Sequence, residues 1–290
     1  MNDLWIADSF GKINLGLHVL EKLPTGYHRI ETGFCFIEWS DRFEVSASDA
    51  YVLEFSNPDI PADESNLVTR AYRMFDQYVG LKNEYTFRID KKIPAGAGLG
   101  GGSSNAALTF RMLNKLENAG LSDEELIDLS RSLGADVPFF IKGTPGIGTG
   151  LGQDIEPADI QPDAWIVTVW PGFESSTPEA YAGCIPNPEP DFSIKGVLLE
   201  EDLEEWRYLL VNDLEGPVIA RHELIGNIKD QLYDFGASYS AMSGSGSTVF
   251  GIFDQDFVAI NAYESFHKLG FSVHITRPGF KPDYGIYLKG

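Results

Sequence analysis

Polar and apolar positions first alternate over residues 12–19, Lys-Ile-Asn-Leu-Gly-Leu-His-Val. Ile13, Leu15, Leu17 and Val19 fall on one side, and Lys12, Asn14, Gly16 and His18 on the other. This predicts a strand with one apolar face, from whose polar side Lys12 and Asn14 project together. Pro24-Thr25-Gly26 signals a turn. A second strand follows over Arg29–Trp39, with Tyr27 and His28 at the hairpin tip or just beyond it. Tyr85, Phe87 and Ile89 alternate in a further strand over residues 84–90.

The period then lengthens. Ala106, Phe110 and Leu113 form one stripe at helical spacing, and Leu108, Met112 and Leu116 form another. A helix apolar on two faces is expected to be buried. Ser122 and Glu125 have the spacing of a capping box. Leu126, Leu129 and Leu133 predict the helix behind it, terminated by Gly134. Strands are expected over Trp165–Val169 and Thr248–Phe253, and helices near Glu215–Tyr233 and Phe257–Leu269. Strands and helices alternate but hairpins also occur, so the class is α+β rather than a strictly parallel sheet. A change of pattern near residue 155 predicts two domains, 1–155 and 156–290.

Between the strand ending at residue 90 and the buried helix lies Pro94-Ala95-Gly96-Ala97-Gly98-Leu99-Gly100-Gly101-Gly102-Ser103-Ser104. Glycine permits positive φ and close approach of the backbone to a ligand. Ser103 or Ser104 is placed to cap the helix. Bare N–H groups at a positive helix end seat an anion, usually a phosphate. The Walker A pattern needs Gly-Lys-Ser/Thr, and this loop has no lysine. Gly96, Gly98 and Gly101 match the dinucleotide fingerprint formally. That fingerprint should open the first βαβ unit, whereas this loop begins well into the chain and after Pro94. A second small-residue loop, Ser243-Gly244-Ser245-Gly246, precedes a strand; it reads either as a tight turn or as a cover over ligand.

Composition narrows the partners. The 290 residues include 22 basic and 43 acidic side chains, a formal charge of −21. Such a surface repels nucleic acid and anionic membranes, so neither partner is expected. Lysines and dipoles near the glycine loop must therefore reverse the field there. Cys35 and Cys184 lack metal-ligand spacing, and Cys35 reads as a buried reduced thiol. The apolar runs, such as Ala164–Trp170, are too short to span a bilayer, and no leader pattern stands at the start. A cytoplasmic protein is expected. On residue type alone, Asp136 is either a base aimed into a cleft or a carboxylate satisfying local N–H groups. Lys12 is either its partner or a solvated strand lysine.

The stretch Pro94–Ala107 resembles the ATP loop of the galactokinase, homoserine kinase, mevalonate kinase and phosphomevalonate kinase (GHMP) superfamily. Within it, Gly11–His18, Thr25-Gly26-Tyr27-His28, Gly134-Ala135-Asp136-Val137-Pro138-Phe139-Phe140, Asn212–Glu215 and Met242–Gly246 resemble the 4-diphosphocytidyl-2-C-methyl-D-erythritol kinase family of the non-mevalonate isoprenoid route. Two departures stand out: Gly11 where alanine is usual, and Gln153 where glutamate is frequent.

The resemblance implies a two-domain fold with mixed sheets and a site in the cleft between domains. It implies ATP-dependent phosphorylation of the substrate's 2-hydroxyl, giving the 2-phosphate and ADP, with Mg²⁺. Residues Pro94 to Ser104 would hold ATP, Asn66 would lie on the adenine side unless it is only a helix cap, and Ser104 would ligate the metal. Asp136 would be the base and Lys12 its partner. Asn14, Tyr27, His28 and Thr177 would contact the cytidine-diphosphate substrate. The alternatives are a kinase of the same superfamily acting on a mevalonate- or homoserine-like alcohol, or a non-catalytic binding relative. Tyr27-His28 favours a nucleotide-bearing substrate, and the presence of both Lys12 and Asp136 favours turnover.

Overall fold

One long hairpin organises the molecule. In the computed structural model, which describes residues 3–289, β1 (Leu4–Lys22) pairs antiparallel with β2 (His28–Ser48) almost throughout. Then come β3 (Val52–Phe55), α1 (Leu67–Val79), β4 (Glu84–Asp90), α2 (Gly101–Leu116), α3 (Asp123–Ser130), α4 (Val137–Lys142), β5 (Gly146–Thr149) and β6 (Asp154–Pro157). The second half holds β7 (Trp165–Trp170), α5 (Thr177–Ala182), α6 (Ile194–Glu200), α7 (Trp206–Leu209), α8 (Glu215–Ile219), α9 (Glu223–Asp234), β8 (Tyr239–Met242), β9 (Val249–Phe253), α10 (Asp256–Lys268), β10 (Ser272–Thr276) and β11 (Tyr287–Leu288).

The first sheet runs β11-β1-β2-β4-β3, with β5 and β6 branching from β2; only the β3–β4 pair is parallel. The second runs β10-β7-β9-β8, all antiparallel. Sheet membership changes between β6 and β7, so residue 155 falls inside β6, and the chain returns to the first sheet at β11.

Strand β1 is buried on both sides, not on one as its alternation predicts. Ile13, Leu15, Cys35 and Ile37 pack toward Ile166, Phe250 and Ile252 of the second sheet. Phe34 and Phe36 pack on the opposite side with Phe110, Phe139 and Phe140 of α2 and α4. The register slips at Leu15/Leu17, where Gly16 has φ +73 and a Cβ would meet the Ile194 side chain at 2.6 Å. A third core joins α9 and α10 to the far face of the second sheet through Ile228, Leu232, Phe253 and Phe266.

Three helix boundaries depart from expectation. Gly100, in the left-handed region, caps α2, and Ser103 and Ser104 lie inside it. The capping box of α3 is present, but the helix ends at Ser130 and Leu133 is buried in a turn instead. The helix expected near Glu215–Tyr233 is two, because His222 leaves helical geometry (φ −134, ψ 76) and packs its ring 4.8 Å from Phe173.

Candidate active site

The two sheets leave a cleft of about 990 Å³ whose walls come from the tip of the first hairpin, the glycine loop, residues 131–136, α5 and the loop after β8. Among its lining residues Asp136 is the one carboxylate, against Lys12, Lys22 and Arg131. The local balance is thus opposite in sign to that of the chain.

The glycine loop is anchored by its carbonyls. Leu99 O accepts from Lys12 N at 3.0 Å, and Ala97 O from Thr248 N at 3.1 Å. Gly98 O accepts from Ser243 Oγ at 2.9 Å and from Lys12 Nζ at 3.1 Å. Among the described residues, none of the amides of Ala95–Ser103 donates to a protein acceptor. With its carbonyls held back and its amides free, the loop is a nest for an anion at the positive end of α2. Glycine is required for this. Gly98 has φ +79 and Gly100 φ +67, and a Cβ on Gly100 would lie 2.9 Å from the Phe140 ring.

Lys12 and Asn14 share a face of β1, as the period of two predicts, but that face is not solvated. The Lys12 ammonium is 5% exposed, donates to Asn14 Oδ1 at 2.5 Å, and lies 5.3 Å from the Phe34 ring centre. The Asn14 amide is oriented in turn by donating to Thr32 Oγ1 at 2.9 Å. Asp136 stands at the N-cap of α4, makes no capping bond, and lies 3.5 Å from Lys12 Nζ. Pro138 in the first turn lets α4 begin there without losing a needed N–H.

At the other end of the cleft, Tyr27 is 65% exposed and the His28 ring stacks on Tyr181 of α5, centroids 4.9 Å apart and planes 20° from parallel. Burial, then the charge of Lys22, lowers the His28 pKa below the usual 6.5. Burial, helped by Asp136, pushes the Tyr181 hydroxyl up to about 12. Thr177 and Ser245, one from α5 and one from the loop after β8, share a hydrogen bond of 2.7 Å across the cleft wall. Gln153 accepts from Leu151 N at 2.7 Å and donates to Asp154 at 3.0 Å, a pair of bonds a glutamate could not make.

Of the expected loop residues Gly96, Gly98 and Gly100 line the cleft, and Asn66 and Ser104 have other partners. Asn66 caps α1, accepting from Val68 N at 2.9 Å, and it does not line the cleft, although the next residue, Leu67, packs toward Gly102 of the loop. Ser104 is 1% exposed, donates to Phe10 O at 2.6 Å and shares a bond with Ser9. Its hydroxyl faces the β1 backbone at Phe10, and Ser104 does not line the cleft. Sequence reasoning missed Tyr181, whose place under His28 comes only from the packing of α5. It also missed Lys91, paired at 2.8 Å with the fully buried Asp41. Burial lowers the Lys91 pKa and Asp41 opposes that. Asp41 also accepts from Lys92 N and Ile93 N, both at 2.8 Å, and so fixes the entry to the glycine loop.

The sequence matches the GHMP kinases N terminal domain over residues 66–144 and the GHMP kinases C terminal domain over residues 194–270. A 4-diphosphocytidyl-2-C-methyl-D-erythritol kinase of Parabacteroides distasonis is 42% identical, with 84% of this chain and 90% of that protein aligned. The protein of the same name from Chlorobium phaeobacteroides is 38% identical over 94% of this chain and 96% of its own. A crystal structure of a 4-(cytidine 5'-diphospho)-2C-methyl-D-erythritol kinase superposes with TM-score 0.80 at 30% identity, covering 93% of this chain and 98% of the other. A homoserine kinase from Cytophaga hutchinsonii, 15% identical with TM-score 0.70, shares the fold. No helix among the described residues is long and apolar enough to cross a membrane.

Proposed function

From its membership of the 4-diphosphocytidyl-2-C-methyl-D-erythritol kinases, a branch of the GHMP kinases, we propose how this chain performs the ATP-dependent phosphorylation that defines them. The free amides of the glycine loop hold the ATP phosphates at the head of α2. The substrate enters from the hairpin end. Its cytosine meets Tyr27, His28 and Tyr181, and its alcohol reaches the Lys12–Asp136 pair near Asn14. Asp136 takes the proton of the 2-hydroxyl as that oxygen attacks the γ-phosphorus. The bond from the γ-phosphorus to the bridging oxygen breaks, and ADP leaves. Lys12 offsets charge on the attacking oxygen. Transfer of this kind depends on positioning and charge stabilisation more than on covalent chemistry.

Among the described residues no group of three or more His, Cys, Asp and Glu side chains could cage a metal. Asp136 is the one carboxylate lining the cleft, and the Glu174 carboxylate lies against Gly96 of the loop. That donor set suits Mg²⁺ carried in on the nucleotide, which keeps several waters and needs few protein oxygens. Bound there, the metal would neutralise phosphate charge.

The carrying observation is the Lys12–Asp136 pair, 3.5 Å apart beside a loop of unpaired amides. The test is ADP release with ATP, Mg²⁺ and the cytidine-diphosphate-linked methylerythritol, with mevalonate and homoserine as controls. Release with the first alone is expected. Release only with a control, or with none, overturns the reading.

A further inference from the structure

We propose that Arg131 and Lys22 form a cationic seat for the diphosphate of the substrate; the proposal rests on the kinase reading above. Of the three cations lining the cleft, Lys12 is committed to Asn14, Gly98 O and Asp136. Lys22 and Arg131 are left without a part in the chemistry. Lys22 ends β1 at the root of the turn that carries Tyr27 and His28, close enough for its charge to act on the His28 ring. Arg131 ends α3 and begins the segment that leads to Asp136. Both cations therefore line the cleft that holds the stacked rings and the Lys12–Asp136 pair, and a diphosphate joins the base and the alcohol in the substrate.

Both cations are available. Among the described residues Lys22 has no ion-pair partner. Arg131 contacts Asp128 at 3.0 Å and Asp154 at 3.8 Å, with its side chain 53% exposed. Exposed pairs of this kind hold weakly, and a guanidinium gains more from a bidentate phosphate. In a chain of charge −21, one unpaired cation and one held only by exposed carboxylates, both facing one cleft, call for an anionic ligand.

The test is calorimetric titration of CDP and of cytidine into the full chain. The variants are Arg131→Met, Lys22→Met, the double variant and Arg131→Lys, each checked for an unchanged melting temperature. The wild type is expected to bind CDP about tenfold more tightly than cytidine at low salt, a preference that salt erodes. Each Met variant should cut CDP affinity about three- to tenfold with cytidine within about twofold, and Arg131→Lys should restore part of it. In steady state, KM for the full substrate should rise while KM for ATP stays put. An unchanged CDP-to-cytidine ratio in both Met variants overturns the proposal, as does equal loss of both ligands or a loss of ATP affinity instead. Wild-type protein that binds neither probe overturns the kinase reading too. CDP binding with an unmoved ratio overturns only the cation pair.

Discussion

Lys12 Nζ stands 3.5 Å from Asp136 Oδ2, too long for a good hydrogen bond, while it donates to Asn14 at 2.5 Å and Gly98 O at 3.1 Å. The cation stabilises the carboxylate by charge and leaves its lone pairs free for the proton of an alcohol. Asp136→Asn should therefore lower kcat by about 10²- to 10⁴-fold, the usual worth of a general base. ATP affinity should change little, because no loop contact involves Asp136. Lys12→Met should cost as much in kcat and should also weaken ATP binding, because Asn14 Oδ1 loses its donor and Gly98 O one of its two. Steady-state kinetics with a separate nucleotide titration distinguishes the two; near-normal turnover of Asp136→Asn would remove it from the mechanism.

The carbonyl oxygen of Ser243 occupies the place where a Cβ on Gly98 would have to go, and Gly98 has φ +79. Gly120 has φ +71 with nothing within 4 Å of its Cβ position. Gly120→Ala should thus show the backbone cost alone, about 1–2 kcal/mol, with kinetics unchanged. Gly98→Ala should add the clash, push the loop after β8 away from the glycine loop, and raise KM for ATP by at least about tenfold. Thermal melts and ATP kinetics on the pair read the difference directly. Equal behaviour of the two variants would mean that the two loops do not need each other.

What could be read from the sequence, and what could not, divides along physical lines. The glycine loop, the shared face of Lys12 and Asn14 and the capping box are local consequences of φ freedom, a period of two and a short-range bond. The burial of both faces of β1 is not local. Alternation reports polarity along the chain, and Lys12 is polar yet nearly buried because Phe34 and the glycine loop close over it. The bulge at Gly16 carries no separate signal, since glycine also suits a turn. Ser104 was misplaced because a serine after glycines suits a cap and an inward helix position equally well. Tyr181 meets His28 from far along the chain, and no spacing rule connects them.

The stacked His28 and Tyr181 rings offer a face for a base. Base–aromatic stacking contributes about 1–3 kcal/mol, so Tyr181→Ala should raise KM for the cytidine-bearing substrate about tenfold or more. KM for ATP should not move. Tyr181→Phe should stay near wild type, because the hydroxyl, held protonated with its pKa pushed up to about 12, is not what meets the base. Burial and then Lys22 lower the His28 pKa below 6.5, so the ring is neutral at pH 7 and presents one donor and one acceptor. Substrate KM should stay flat as pH falls toward 6.5 and rise only below it, and His28→Gln should abolish that rise. A rise that begins above 6.5 would contradict a depressed His28.

His274 makes a separate prediction about stability. Its ring stacks on Trp39, centroids 5.6 Å apart, and so ties β10 of the second sheet to β2 of the first. Its Nδ1 is buried without a hydrogen-bond partner. Burial lowers its pKa to about 4 from 6.5, against the opposing pull of Glu38. The folded ring is neutral where the unfolded ring is charged, so the unfolded chain takes up the proton first. The contribution is therefore complete above pH 6.5 and is lost as pH falls toward 4. At one pKa unit per 1.36 kcal/mol the loss is on the order of 3 kcal/mol. His18 has the opposite sign. Burial opposes its charge, but Asp213 outweighs burial and raises its pKa above 6.5, so its contribution fades as pH rises. Urea unfolding of wild type and His274→Phe across pH 4–7 separates the terms, because phenylalanine keeps the stack and cannot titrate. The variant should lose less stability than the wild type on acidification, with His18 cancelling in the difference. Parallel curves would show that His274 does not carry the acid sensitivity.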